Sequence, residues 1–399
     1  MSQRAEGRRA GVGTLAVWAG EEGPKWERAT QVPIVNSVAF GYDDLDTWQD
    51  VALGHAPGHI YSRNTNPTVA AFEEKVRVLE GADDATSFAT GMAAISNTLY
   101  ALLKPGDRVV SATDTYGGTN QIFVKFLPRM GVEVELCNTT DFAAIEAEIA
   151  KGCTLLYLES PTNPTLKVMD LTRLARAGHA AGAVVVVDNT FATPINSNPL
   201  ALGADLVVHS ATKFLGGHAD ALGGVVCGRR DLVRTIYHYR EINGATLDAN
   251  AAYLLLRGMK TLHLRIRQQN ASAQAIATYL HRHPAVERVL YPGLPDHPHH
   301  DIAAEQMRGF GGMLSFAPVG GFDAVRRVLP RLRFAHAAAN LGAVETIVGP
   351  PATTSHVEVP AAERAALGIP EGLIRYSTGI EETEDLMADL EQALDVLVA

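Results

Sequence analysis

The 399-residue chain is predicted to be an α/β protein, a mainly parallel central sheet with helices on both faces, followed by a smaller α+β C-terminal domain. Three observations carry this expectation. The length exceeds what one hydrophobic core usually organises, so two domains are expected. From about Ala85, short β-branched runs alternate with longer amphipathic stretches, the pattern of repeated strand–helix–strand units. After Gly258 the pattern changes to long helix, turn and strand.

Taken in order, residues 1–65 mix Gly, Pro and aromatics without sustained periodicity. They read as an extended N-terminal arm that contacts a neighbouring subunit. Residues 66–258 form the large domain, with strands expected at Ala85–Phe88, Arg108–Ser111, Val132–Leu136, Thr154–Leu158, Val184–Val187 and Leu206–Val208. Between them Met92–Leu103, Asp141–Lys151 and Asp170–Ala181 carry helical spacing, with Gly152 and Gly182 placed as C-terminal stops. Residues 259–399 form the small domain, in which Met313–Phe316 reads as a strand and Glu384–Leu397 as a closing helix.

Composition excludes several classes. With 47% hydrophobic and 20% charged residues the chain is globular rather than disordered. Its 34 basic and 44 acidic side chains give a net charge of -10 without a long Lys/Arg run, so no nucleic-acid partner is expected. Cys137, Cys153 and Cys227 are odd in number and lack a C-x-x-C, which argues against a disulfide framework or thiolate zinc site and fits a reducing cytoplasm. Arg4, Arg8 and Arg9 precede the mildly apolar Ala10–Ala19 as in an export signal, but Gly11 and Gly13 interrupt that stretch and Glu21 and Glu22 follow it. No apolar run approaches the roughly 18 residues that span a bilayer. A soluble protein with no membrane partner is expected.

In open α/β sheets, ligands sit beyond the carboxyl ends of the strands, so polar residues directly after strands are the first candidates. Three clusters qualify: Glu159-Ser160 with Pro161-Thr162-Asn163-Pro164, then Asp188-Asn189-Thr190, then His209-Ser210-Ala211-Thr212-Lys213. Singly, an Asp after a strand is commonly a cap, and a Lys three past a Ser is commonly solvated. Together, one lysine near one carboxylate, with hydroxyls and glycines around it, is what a pyridoxal cofactor requires. The lysine supplies a Schiff-base amine, the carboxylate keeps the pyridine nitrogen protonated, and a helix start at Gly91-Met92 takes the phosphate.

The residues resemble the Cys/Met-metabolism group of pyridoxal-phosphate enzymes, which includes cystathionine γ-synthase, cystathionine γ-lyase, methionine γ-lyase and the O-acylhomoserine sulfhydrylases. The resemblance spans nearly the whole chain. It is carried by Tyr61-Ser62-Arg63-Asn64-Thr65-Asn66-Pro67-Thr68, Thr90-Gly91-Met92-Ala93-Ala94, Asp114-Thr115-Tyr116-Gly117-Gly118-Thr119, Pro161-Thr162-Asn163-Pro164-Thr165, Val187-Asp188-Asn189-Thr190-Phe191, Ser210-Ala211-Thr212-Lys213 and Ile374-Arg375-Tyr376-Ser377. It implies a fold type I, aspartate aminotransferase-like architecture, with pyridoxal 5'-phosphate bound in the large domain. Lys213 is then the Schiff-base lysine, Asp188 the pyridinium partner and Tyr116 the residue stacked on the ring. Gly91, Met92, Ser210 and Thr212 hold the phosphate, joined by Tyr61 and Arg63 from the adjacent subunit of a homotetramer built as a dimer of dimers. Asn163, Arg375, Tyr61 and Asn340 bind the substrate. The implied reaction is γ-elimination or γ-replacement on a γ-substituted L-amino acid of the transsulfuration type.

The chain departs from the family in telling places. Many cystathionine enzymes carry Glu before Tyr-Ser-Arg and a Glu-Ser-Leu-Gly-Gly segment; here His59-Ile60 and Ala339-Asn340-Leu341-Gly342-Ala343 stand there. Methionine γ-lyases typically have Cys after Tyr-Gly, where this chain has Gly118. Methionine, an O-acylhomoserine or a non-sulfur substrate such as canavanine therefore stay open beside cystathionine, as do a β-lyase and a non-catalytic binding relative. Two further features read as decoys. Gly11-Val12-Gly13-Thr14-Leu15-Ala16 has the G-x-G-x-x-A spacing but no preceding strand. His297, His299 and His300 lie in a Pro-rich loop without metal-ligand geometry, so no metal is expected. His218 is a secondary candidate for a base.

Overall fold

The computed structural model describes residues 10–21, 28–357 and 359–398. The basic residues Arg4, Arg8 and Arg9 lie outside the described residues. Seven strands form the large sheet: β1 (Asp84–Phe88), β2 (Arg108–Ala112), β3 (Glu133–Cys137), β4 (Leu155–Glu159), β5 (Val184–Asp188), β6 (Leu206–Ser210) and β7 (Gly224–Gly228). Their order is β1-β7-β6-β5-β4-β2-β3. Pairing is parallel from β3 through β6, and β7 runs antiparallel to both of its neighbours.

The parallel arrangement follows from the helices that return the chain between strands. Phe142–Ala150 starts where Asp141 accepts the Ala144 N–H, and Leu171–Ala180 starts where Asp170 accepts the Arg173 N–H. Each ends before a glycine with positive φ, Gly152 at 117° and Gly182 at 79°. The central strands Leu-Leu-Tyr-Leu-Glu and Val-Val-Val-Val-Asp are apolar almost throughout, because helices bury both faces of the sheet. Leu155, Tyr157 and Val186 pack with Ile95 and Leu99 on one face, while Leu156, Leu158, Val185 and Val187 pack with Ile145 and Leu174 on the other. Both runs end in an acid, and both acids stand at the carboxyl edge of the sheet.

The helix Leu262–His281 leads into a five-stranded sheet of β8 (Val286–Leu290), β9 (Met313–Pro318), β10 (His336–Ala337), β11 (Ile347–Gly349) and β12 (Ile374–Ser377), ordered β10-β11-β12-β9-β8. All its pairings are antiparallel except β10 with β11. The helix Thr383–Leu394 closes this unit, burying Leu386, Leu390 and Leu394 against Ile276 and Leu280.

Two features differ from the sequence expectation. β7 is absent from the expected strands; its short Val-Val-Cys core lies between glycines, and its pairing partners are distant in sequence. The N-terminal stretch is also less extended than its composition implies. Val12–Trp18 and Leu45–Ala52 are helical. The first owes its stability to tertiary contacts: Ala16 is fully buried, and the buried Lys75 ammonium donates to the carbonyls of Ala16 and Val17 at the helix end, at 2.8 and 3.1 Å. This helix also disposes of the dinucleotide-like glycine spacing, since Gly11 is its N-cap and no strand precedes it among the described residues.

Candidate active site

The carboxyl ends of β4, β5 and β6 meet at a cavity of about 370 Å³, lined from the other side by Ala339, Leu341, Thr354, Ser355 and Arg375. Its lining contains Gly91, Met92, Tyr116, Asn163, Asp188, Ser210, Thr212, Lys213 and Arg375, so nine of the residues singled out from sequence converge in one place. Tyr61 and Arg63 are not among the cavity's lining residues; Tyr61 is exposed, with the Arg63 guanidinium 5.4 Å from its ring centre. His218 lines a different cavity, with Nδ1 on the Gly216 carbonyl. His297 and His300 aim ring nitrogens at the backbone carbonyls of Leu166 and Pro292.

Lys213 sits in the turn that follows β6, its N–H on the Ser210 carbonyl. Burial, reinforced by the charge of Arg375, pulls its ammonium down to about 8. A substantial share of the amine is therefore neutral near pH 8, the form that attacks an aldehyde. Its Nζ donates to Asn340 Oδ1 at 2.7 Å. Arg375, on β12, donates to the backbone oxygen of the same Asn340 at 3.0 Å and to Asn163 Oδ1 at 3.1 Å. This guanidinium is 6% exposed, and no carboxylate pairs with it among the described residues. Burial brings it down to about 10. A buried fork of donors held only by neutral acceptors is a ready site for an external carboxylate.

Asp188 ends β5 and accepts the Thr190 N–H at 3.0 Å, while Thr190 Oγ1 accepts the Ser210 N–H at 2.9 Å, fastening the ends of β5 and β6 together. Beneath, on the opposite face of the sheet, buried Glu80 accepts from Asn189 Nδ2 at 2.8 Å and lies 2.6 Å from His209 Nε2. Sequence reading missed this support, since Glu80 lies on the distant helix Pro67–Glu80 and carries no local signal.

At the cavity's other end the helix Gly91–Leu102 begins, with Thr90 as N-cap, so the Gly91 and Met92 N–H groups lack intrahelical partners. Gly91 is required there by packing: a Cβ would lie 2.6 Å from Ser210 Cβ and 2.7 Å from its Oγ. Ser210 Oγ makes no hydrogen bond among the described residues, whereas the Thr212 hydroxyl is engaged by Gly223 on both sides. The Gly91 and Met92 N–H groups and the Ser210 hydroxyl are thus unengaged donors of the kind that bind a phosphate. The lining also includes Glu159, Thr354 and Ser355; only Glu159 had a sequence signal, its place after a strand.

A buried lysine held partly neutral, a strand-end carboxylate and a helix N-terminus around one cavity, on this sheet order, fit a pyridoxal-phosphate-dependent enzyme of fold type I. The family model described as "Cys/Met metabolism PLP-dependent enzyme" matches residues 13–395, and the chain belongs to that family. It is 41% identical to cystathionine gamma-synthase 1 of Arabidopsis thaliana over 388 residues, covering 96% of this chain and 69% of that one. It is also 41% identical to the cystathionine gamma-lyase of Bacillus subtilis over 383 residues, covering 96% and 98%. The crystal structure of cystathionine gamma synthase from Xanthomonas oryzae pv. oryzae in complex with cystathionine superposes with a TM-score of 0.92 at 38% identity, covering 97% of this chain and 98% of that one.

Proposed function

We propose that this enzyme performs γ-elimination or γ-replacement on a γ-substituted L-amino acid of the transsulfuration type. The observation that carries the reading is the meeting of Lys213 and Arg375 at Asn340. A substrate whose carboxylate occupies the Arg375 fork places its Cα within reach of the one neutralisable amine in the cavity. Bound pyridoxal phosphate supplies the sink for negative charge developing at that carbon. Lys213 holds the cofactor and, once released, carries the Cα proton. Asp188 keeps the ring nitrogen protonated, Tyr116 covers the ring and protonates the leaving group, and Asn163 orients Arg375. Gly91, Met92, Ser210 and Thr212 receive the phosphate.

Tyr61 and Arg63 complete the phosphate site of a neighbouring subunit in a homotetramer. Support comes from the arm, where Ile34, Val38, Leu45, Trp48 and Leu53 are exposed and apolar. Localisation in the cytoplasm fits the three free cysteines, and no described helix is long and apolar enough to cross a membrane.

The chain is 41% identical both to a synthase and to a lyase, so both outcomes of the γ-chemistry are proposed. One observation favours an O-acylhomoserine as the substrate. Among the described residues the acids in the cavity lining are Glu159 and Asp188, both buried, so no further described carboxylate lines it to meet a distal substrate ammonium. Incubation with L-cystathionine, methionine, homocysteine, canavanine and O-acylhomoserines with and without cysteine, with products identified, tests this. Turnover of O-acylhomoserines, with or without cysteine, well above that of cystathionine is expected; efficient α,γ-cleavage of cystathionine alone would overturn the preference, and inertness toward the whole panel would overturn the γ-chemistry.

A further inference from the structure

Glu159 stands at the end of β4, directly beside Asp188 at the end of β5, and the two residues pair across the parallel ladder. Both line the cavity, at 5% and 7% exposure, and the chemistry above makes no use of Glu159. Each of its oxygens is engaged. Oε2 accepts the Tyr116 N–H at 2.7 Å, and Oε1 accepts the Asn163 N–H at 3.2 Å. One carboxyl thus ties the residue that covers the ring to the residue that orients Arg375, beside the acid assigned to the ring nitrogen.

Two adjacent buried carboxylates repel each other, and burial penalises both charges, so the pair does not readily ionise twice. Burial, followed by the neighbouring Asp188 charge, holds Glu159 well above the usual carboxylate range, and burial also raises Asp188. The other titratable groups around the pair, Lys213 and Arg375 of the same cavity among them, leave Glu159 raised. Tyr157 donates its hydroxyl to Asp188 Oδ2 at 3.4 Å, Asp114 is a third acid already paired with Lys167 at 2.9 Å, and His209 favours a charge on Asp188 rather than on Glu159.

We propose that Glu159 is a positioning residue of the cofactor site: it and its ladder neighbour Asp188 carry a single negative charge between them, and its oxygens fix the backbone at Tyr116 and Asn163. The proposal rests on the reading that Asp188 meets the ring nitrogen. With the cofactor bound, the charge lies on Asp188 and the proton on Glu159. This explains why a second acid is tolerated at the floor of the site.

Glu159→Gln keeps the shape and neutrality of the protonated acid but turns one acceptor into an amide that faces a backbone N–H. In purified holoenzyme it should retain cofactor and melting temperature, raise KM for the amino acid by about 10-fold, as expected for one lost hydrogen bond, and shift the pH midpoint of the cofactor's visible absorbance. Where that variant does not fold, Glu159→Asp, one methylene shorter but still acidic, should raise KM in the same direction with a midpoint close to wild type. Asp188→Asn is measured alongside. A responsive Asp188→Asn with a Glu159→Gln that matches wild type in KM and midpoint would overturn this proposal alone. An Asp188→Asn without spectral effect would overturn the ring-nitrogen assignment, and the singly charged pair with it.

Discussion

Replacing Arg375 by lysine keeps the charge but removes the fork. In the folded chain the guanidinium is 6% exposed, with one nitrogen on Asn163 Oδ1 at 3.1 Å and another on the Asn340 carbonyl at 3.0 Å. A substrate carboxylate docked on the outer edge of this group gains two charge-assisted hydrogen bonds, worth about 1.5–3 kcal/mol each. A lysine at the same place supplies one of them, so the loss is about 1.5–3 kcal/mol, or roughly 10- to 150-fold in kcat/KM. Arg375→Leu forfeits both and leaves Asn163 and Asn340 facing an apolar chain, for a loss of roughly 10²- to 10⁴-fold. Since the carboxylate contact exists before and during proton transfer, most of the loss in the lysine variant falls in KM. Initial rates against amino-acid concentration, at saturating cofactor, read both constants. An Arg375→Lys enzyme with KM within about threefold of wild type would refute the assignment.

Lys213, depressed to about 8, becomes mostly neutral as pH rises through that value. The cofactor-free chain should therefore take up pyridoxal phosphate faster from pH 7 to 9 and level off above, as followed by absorbance; a rate flat across that range would contradict the burial argument. A Cβ at Gly118 would lie 2.7 Å from Met92 Sδ and 2.9 Å from Tyr116 Cε1. Gly118→Cys should consequently displace the Tyr116 ring and lower kcat by about 10-fold or more, with partial recovery in the Gly118→Cys, Met92→Ala double variant; an unaffected single variant would show that the ring has room to spare. Asn340→Ala removes the 2.7 Å acceptor of Lys213 but leaves the carbonyl bonded to Arg375. It should lower kcat by roughly 3- to 10-fold with little change in KM, and a change confined to KM would place Asn340 with the substrate instead.

The large sheet was legible because central parallel strands advertise themselves. Val184–Val187 is apolar on both faces and stops at Asp188, so strand, strand end and candidate acid are read in one motion. The same logic placed Glu159 and Ser210 at one edge. β7 was not legible, because a five-residue strand between glycines draws its stability from partners far along the chain. The helix Val12–Trp18 escaped for the same reason, being stabilised by Lys75 rather than by its own periodicity. Arg375 and Tyr116 were found through family resemblance alone. Arg375 sits mid-strand in the second sheet, and only folding carries β12 to Lys213. What resemblance did not supply was the linkage beneath and beside the site, Glu80 under His209 and Glu159 beside Asp188, where a local pattern gives no hint of which buried acids face each other.

Every role described here depends on Lys213 being the residue that holds the cofactor. Borohydride reduction of the purified enzyme fixes the lysine–cofactor bond irreversibly, and peptide mapping then locates the label. One labelled site is expected, on the peptide containing Lys213, and a Lys213→Ala chain should still bind pyridoxal phosphate through phosphate and ring contacts yet take no label there and not turn over. Label on another lysine, or turnover by Lys213→Ala at the wild-type rate, would contradict it.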